Sequence, residues 1–126
     1  MENVTFHLGG TLGGFILNKY ILIRLNQRRL YLIVNGKVYL AFRIAVGKRT
    51  TPTPKGVFRI LNKAVNPGGV FGTRWMGFYR GYGIHGTNNP SSIGYAVTNG
   101  CVRMYNRDIE RLFPLVPIGT KVVITD

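Results

Sequence analysis

The pair Asn35-Gly36, set between RRLYLIV (28–34) and KVYLAFRIAVG (37–47), restricts this chain more than any other feature. A two-residue hairpin turn needs positive φ at both central positions, and Asn-Gly meets that need at low cost. A further run, YILIRL (20–25), precedes it across Asn26-Gln27. In the longest run Val38, Leu40, Phe42, Ile44 and Val46 alternate with Tyr39, Ala41, Arg43 and Ala45. That period of two predicts a half-buried strand with the first set inward. Residues 20–47 therefore read as a β-meander, and the chain as a mainly β protein.

The remaining sequence is less regular. TPTPKGVFRI (51–60) places two prolines and a glycine before another short strand. Residues 62–83 mix Gly, Asn, Pro and aromatics without a period, which predicts a long loop or irregular strands. Loops of that length in compact domains commonly carry function. A short helix is expected at roughly 91–97. Another, NRDIERLF, is expected to start with Asn106 as its cap, Asp108 near its positive end and Ile109, Leu112 and Phe113 on one face. Pro114 closes it, and KVVIT (121–125) forms a last strand. The whole, 1–126, is expected to be one domain, with 1–19 as an N-terminal extension.

Seventeen Lys and Arg against four acidic residues give a net charge of +13, which draws polyanions from a distance. Nucleic acid, an anionic membrane, an anionic wall polymer or a merely solvated basic surface all agree with that charge. A single cysteine excludes an internal disulfide. No apolar run reaches the length of a membrane span, and the first residues, with Glu2 and Lys19, make a poor signal peptide.

The chemistry-bearing residues gather in GYGIHGTNNPSSIGYAVTNGCVRM (81–104). Cys101 follows Asn99-Gly100, where glycine leaves room for a substrate carbonyl and the nearby amides suit an oxyanion. Its thiol is either a nucleophile awaiting a base or a small buried hydrophobe. His85, sixteen positions upstream, is either that base or a structural imidazole. The spacing suits two neighbouring strand ends. Arg103 is placed to bind a carboxylate or depress the thiol pKa, or it is ordinary surface. Trp75, Tyr79 and Tyr82 line a groove or pack the core. His7 has no evident role, and His and Cys lack metal-ligand spacing. Gly9 to Gly14 imitate a phosphate-binding loop, but Phe15 stands where lysine belongs.

Taken together, IHGTNNPSSIGYAVTNGCVRM resembles the signature of the L,D-transpeptidase catalytic domain (YkuD-type) family: His-Gly-Thr, a spacer, then Ser/Thr-x-Gly-Cys-hydrophobic-Arg. VNGKVYLAFRIAVGK, TPTPKGVFRI and FGTRW upstream, and NRDIERLFPLVPIGTKVVI downstream, resemble other segments of the family. The resemblance implies a β-sandwich or open barrel with one or two short helices. It implies an enzyme without metal or cofactor that forms 3→3 cross-links between peptidoglycan stem peptides, or trims them as an L,D-carboxypeptidase when water is the acceptor. Carried over, Cys101 is the nucleophile and His85 the general base. Gly86 orients the histidine by its carbonyl, Gly100 supplies an oxyanion amide, and Arg103 completes the pocket. Asn99, Trp75, Tyr82 and Thr87 are expected to contact substrate. Many members carry histidine where this chain has Asn99, which leaves His85 as the one imidazole expected nearby. The implied setting is extracytoplasmic, in cell wall or spore envelope, as a monomer without nucleic acid, with the positive charge drawing anionic wall polymers. From a different class, a basic binding module with an inert thiol stays open.

Overall fold

The computed structural model describes residues 11–12, 15–16 and 18–126, so His7 lies outside the described residues. Thr11–Leu12 (β1) pairs antiparallel with Phe15–Ile16 (β2). The expected meander forms from Lys19–Arg24 (β3), Arg29–Val34 (β4) and Lys37–Gly47 (β5), each antiparallel to the next. Asn35 and Gly36 turn the hairpin with φ of 50° and 81°.

In β5, Leu40, Phe42, Ile44 and Val46 face the core as the alternation requires, but Val38 is 58% exposed. Leu32 faces Leu40 while Ile33 faces Val38, so Tyr39 is the extra residue of a bulge that bends the hairpin end off the core. Ala45, on the side expected to face outward, is fully buried beside its cross-strand neighbour Arg103.

Seven further strands complete the fold: Gly56–Arg59 (β6), Asn62–Val65 (β7), Arg74–Tyr79 (β8), Tyr82–His85 (β9), Ala96–Thr98 (β10), Val102–Met104 (β11) and Lys121–Thr125 (β12). They extend the meander into a ten-stranded sheet ordered β6-β12-β3-β4-β5-β11-β9-β8-β7, with β10 attached to β5. Three pairings are parallel: β12 with β3, β11 with β9, and β10 with β5. The sheet curls into a half-barrel, a mainly β architecture as the sequence predicts.

Residues 62–83, expected as a long loop or irregular strands, are for the most part antiparallel strands, with a register shift between Gly77 and Tyr79. Their glycines are demanded by close packing rather than by turns. A Cβ on Gly83 would stand 2.7 Å from the Trp75 ring, and one on Gly77 would collide with Asn62. Glycine at such approaches weakens the strand pattern in sequence without breaking the strand.

The helix forms at Asn106–Leu112 (α1), but Tyr105 occupies the cap position and no side chain caps it. Asn106 is the first helical residue, and its amide is engaged elsewhere. Ile109 and Leu112 enter the core, while Phe113 is only partly buried and starts a 3₁₀ turn with Pro114. The helix expected at 91–97 is reduced to a 3₁₀ turn at Pro90–Ser92. Gly94, with φ of 101°, ends it, and residues 96–98 instead pair with β5.

The core fills the concave face, from Ile21, Leu32 and Ile44 through Met76, Ile84 and Met104 to the helical Ile109 and Leu112. Two lysines close the far end of α1. Lys63 donates to the carbonyls of Phe113 and Val116, both at 2.8 Å, and Lys19 donates to Leu115 at 2.6 Å. Burial holds both ammonium groups below the usual lysine pKa range. Cations suit a helix C-terminus, where carbonyls lack partners. Lys63→Met strands the part-buried Val116 carbonyl, while the Phe113 carbonyl keeps the Val116 amide as a donor at 3.2 Å, and it is expected to lower unfolding free energy by about 1–3 kcal/mol. Lys55→Met, which breaks an exposed pair with Asp126, is expected to leave the urea midpoint nearly unchanged. Equal losses in the two variants would contradict this account.

Candidate active site

Alternation places the two faces of β8, β9 and β11 in different environments. Met76, Phe78, Ile84, Val102 and Met104 take the core, which turns Trp75, Gly83, His85 and Arg103 to the opposite face. Cross-strand register then assembles them: His85 stands opposite Trp75 on one side and Arg103 on the other. Cys101 enters the same face one residue before β11. Its Sγ accepts the Gly83 amide at 3.4 Å and lies 3.9 Å from the Gly81 carbonyl oxygen. Cys101 and His85 are thus diagonal neighbours on adjacent parallel strands.

The turn that presents Cys101 is built around Thr98, which is buried. Its Oγ1 donates to the Cys101 carbonyl at 2.7 Å and accepts the Gly100 amide at 3.0 Å. Gly100 has φ of 122°, a conformation that L side chains avoid, and a Cβ there would run into the Tyr82 ring. The Tyr82 ring occupies the Cβ side of Gly100. One expectation is corrected: the Gly100 amide is engaged by Thr98 rather than free for an oxyanion. The amides of Asn99 and Cys101 donate to no acceptor among the described residues.

His85 is 4% exposed and held on three sides. Its Nδ1 lies 2.5 Å from the Gly86 carbonyl oxygen. A carbonyl only accepts, so Nδ1 carries the proton and Nε2 is left as the basic nitrogen. Trp75 stacks on the imidazole at 5.8 Å with planes 14° apart, and Phe71 meets it edge-on at 5.1 Å. Burial lowers the His85 pKa, with Arg103 adding to the effect and the Gly86 bond opposing it. Burial raises the Cys101 pKa, opposed by the Gly83 amide and by Arg103. Both groups are therefore biased toward their neutral forms.

Arg103 is anchored by Nη1 donating to Ser92 Oγ at 3.0 Å. Tyr82 stacks with Tyr79 at 6.3 Å. Trp75 Nε1 donates to Asn62 Oδ1 at 2.7 Å, so its ring is fixed as a wall behind the imidazole. Asn99 is exposed at the tip of the turn. Thr87 departs from expectation: it is 3% exposed and its Oγ1 accepts the Asn89 amide, which turns the hydroxyl into the fold and away from a substrate.

Three participants were not legible in the sequence. Phe71 lies in the glycine-rich stretch read as a long loop or irregular strands. Ser92 falls in the segment read as helix. Asn106 reads as a cap, yet its Oδ1 accepts the amides of Thr73 and Thr87 and its Nδ2 donates to the Thr87 carbonyl. Only glycine placement hinted at it, since a Cβ on Gly72 or Gly86 would collide with the Asn106 amide.

Residues 18–124 match the YkuD family, the L,D-transpeptidase catalytic domain. A Bacillus licheniformis protein provisionally named L,D-transpeptidase YkuD is 52% identical over 106 residues, which cover 83% of this chain and 64% of that protein. Its Bacillus subtilis namesake is 48% identical over 106 residues, covering 83% and 65%. The chain thus spans just under two thirds of the length of these relatives. Among solved structures, the catalytic domain of the Enterococcus faecium L,D-transpeptidase superposes with a TM-score of 0.75 at 29% identity, over 86% of this chain and 97% of that domain. A Mycobacterium smegmatis L,D-transpeptidase shares the fold with a TM-score of 0.78 at 16% identity, over 92% and 65%. A match that runs from the first long strand to the last, over a common fold, means that the chain belongs to the YkuD family of L,D-transpeptidase catalytic domains.

Proposed function

We propose that this chain is a cysteine acyltransferase that cross-links peptidoglycan stem peptides 3→3, working outside the membrane in cell wall or spore envelope. The observation that carries the reading is the pinned imidazole: Nδ1 held by Gly86, Nε2 basic, on the same sheet face as the Cys101 thiol. Nε2 takes the thiol proton as Sγ attacks the carbonyl of the third stem residue, a diamino acid. The Cys101 and Asn99 amides receive the oxyanion. The tetrahedral adduct collapses, the bond to the terminal D-alanine breaks, and the imidazolium protonates the departing amine. The side-chain amine of a neighbouring stem then attacks the thioester, giving the 3→3 amide and free thiol. Water in place of that amine gives the carboxypeptidase reaction. Arg103, fixed by Ser92, faces a substrate carboxylate.

Intact-mass spectrometry with a disaccharide tetrapeptide ending in D-alanine tests this. The wild type is expected to show an acyl adduct, free D-alanine and a cross-linked dimer, and Cys101→Ala none of them. His85→Ala is expected to lose about 10²–10⁴-fold in kcat/KM. D-alanine with tripeptide alone would assign the hydrolase instead, and no adduct with any stem peptide would sink the catalytic reading.

The neutral bias of both groups fixes a pH signature. Acceptance of the thiol proton needs neutral His85, so kcat/KM is expected to fall only below the ordinary imidazole value of about 6.5. Alkylation of Cys101 by iodoacetamide follows the thiolate, so its rate is expected to rise with a midpoint above the usual value of about 8.5. A plateau of alkylation already reached below pH 7 would show a preformed thiolate–imidazolium pair and overturn this account.

The positive charge has a second use. A cleft of about 270 Å³ beyond β10 is lined by Arg28, Lys48, Arg49 and Lys55, with Asp126 as its one acid. Concave walls with a clear excess of positive charge concentrate anions, which suits an anionic wall polymer. The cleft adjoins the active-site turn: Lys48 N and Thr51 Oγ1 both donate to the Thr98 carbonyl. Binding to polyglycerol phosphate is expected to weaken steeply with salt and to drop more in Lys48→Glu/Arg49→Glu than in Arg107→Glu/Arg111→Glu on α1, a change of equal charge. Equal losses would assign the binding to the surface at large.

A further inference from the structure

We propose that Asn106 is the positioning residue that sets the tautomer and orientation of His85, acting through the peptide plane between Gly86 and Thr87. The peptide unit is planar and trans, so the Gly86 carbonyl and the Thr87 N–H point to opposite sides of one rigid group. The carbonyl side receives His85 Nδ1–H. The amide side donates to Asn106 Oδ1 at 3.0 Å. Whatever fixes the Thr87 N–H therefore fixes where the Gly86 oxygen lies.

Asn106 makes two further bonds that prevent this plane from turning. Its Nδ2 donates to the Thr87 carbonyl at 3.0 Å, clamping Thr87 from both sides, and its Oδ1 also accepts Thr73 N at 3.2 Å. The last bond ties in the loop that carries Phe71, the edge-on neighbour of the imidazole. One amide thus joins the loop after β9, the loop before β8 and the start of α1. Only asparagine's pairing of acceptor and donor satisfies all three bonds, and the amide is oriented by them without ambiguity. The chain makes room for it: Gly72 and Gly86 are the residues whose Cβ atoms would strike Oδ1. Helix capping does not explain the residue, because Asn106 is the first helical residue and gives no cap bond.

The kinetic consequence rests on the acyl-transfer function proposed above, but the tautomer does not, so the two are separable. The whole chain, labelled with ¹⁵N, has two histidines, and His7→Gln assigns the second set of ring signals. Long-range ¹H–¹⁵N spectra of the wild type are expected to show His85 wholly as the Nδ1–H tautomer. In Asn106→Ala the signals are expected to move toward averaging of both tautomers, with kcat/KM falling by about 10- to 100-fold and KM little changed. Alanine favours the helix start at least as well as asparagine, so loss of α1 would not account for the change. A folded Asn106→Ala that keeps the pure Nδ1–H tautomer would overturn the proposal. Should it fail to fold, Asn106→Asp decides: it keeps both accepted bonds and is expected to hold the tautomer, and loss of the tautomer there would overturn the proposal equally. A wild type that shows the tautomer but no acyl adduct would refute the function and leave the role of Asn106 standing.

Discussion

The parallel pairing of β9 with β11 is the constraint on which the rest of this site depends. Parallel neighbours cannot be joined by a tight turn and need a crossover of a dozen or more residues. That requirement is the physical content of the sixteen positions between His85 and Cys101. In the register observed, Val102 faces Ile84 and Arg103 faces His85. A slip of one residue would turn Cys101 and Arg103 into the core and bring Val102 and Met104 out. Five apolar side chains on the buried face oppose that slip, so the core holds the chemistry in register.

The crossover between the two strands does more than span the distance. It contributes Thr87 to the clamp behind the imidazole, Ser92 to the anchor of Arg103, and Thr98 to the turn beneath Cys101. Each is buried, and each engages backbone or guanidinium groups that would otherwise lie without partners. Thr87, expected as a substrate contact, is instead part of this framework, as are Ser92 and Thr98. The imidazole is enclosed by Trp75 and Phe71 in the same spirit. Their rings help to bury it, and that burial lowers the His85 pKa and favours the neutral imidazole.

How legible the molecule was in sequence depended on how far each signal travelled along the chain. The β3–β5 meander and β12 were readable because alternation and the Asn-Gly turn are local. A strand ending at His85 was also readable, but β7 and β8 blurred into a long loop or irregular strands, because Gly77 and Gly83 serve contacts with Trp75 and Asn62 that sequence does not display. Residues 91–97 read as a short helix, yet their helix propensity is weak and pairing with β5 beside Val46 and Gly47 prevailed. Tertiary hydrogen bonds override weak local propensity in this way.

By itself the sequence determined the mainly β class, the meander, the short helix from residue 106, and the motif that brings a thiol and an imidazole to one family signature. These follow from periodicity, turn chemistry and residue identity, which are properties of neighbours in the chain. Only the tertiary structure decided which atoms are engaged. It assigned the Gly100 amide to Thr98, the Thr87 hydroxyl to Asn89, the Cβ side of Gly100 to Tyr82, and the Asn106 amide to the loops around His85. The reason is that a hydrogen-bonding group is committed by whatever partner the fold brings within reach, and those partners lie 2 to 33 residues away.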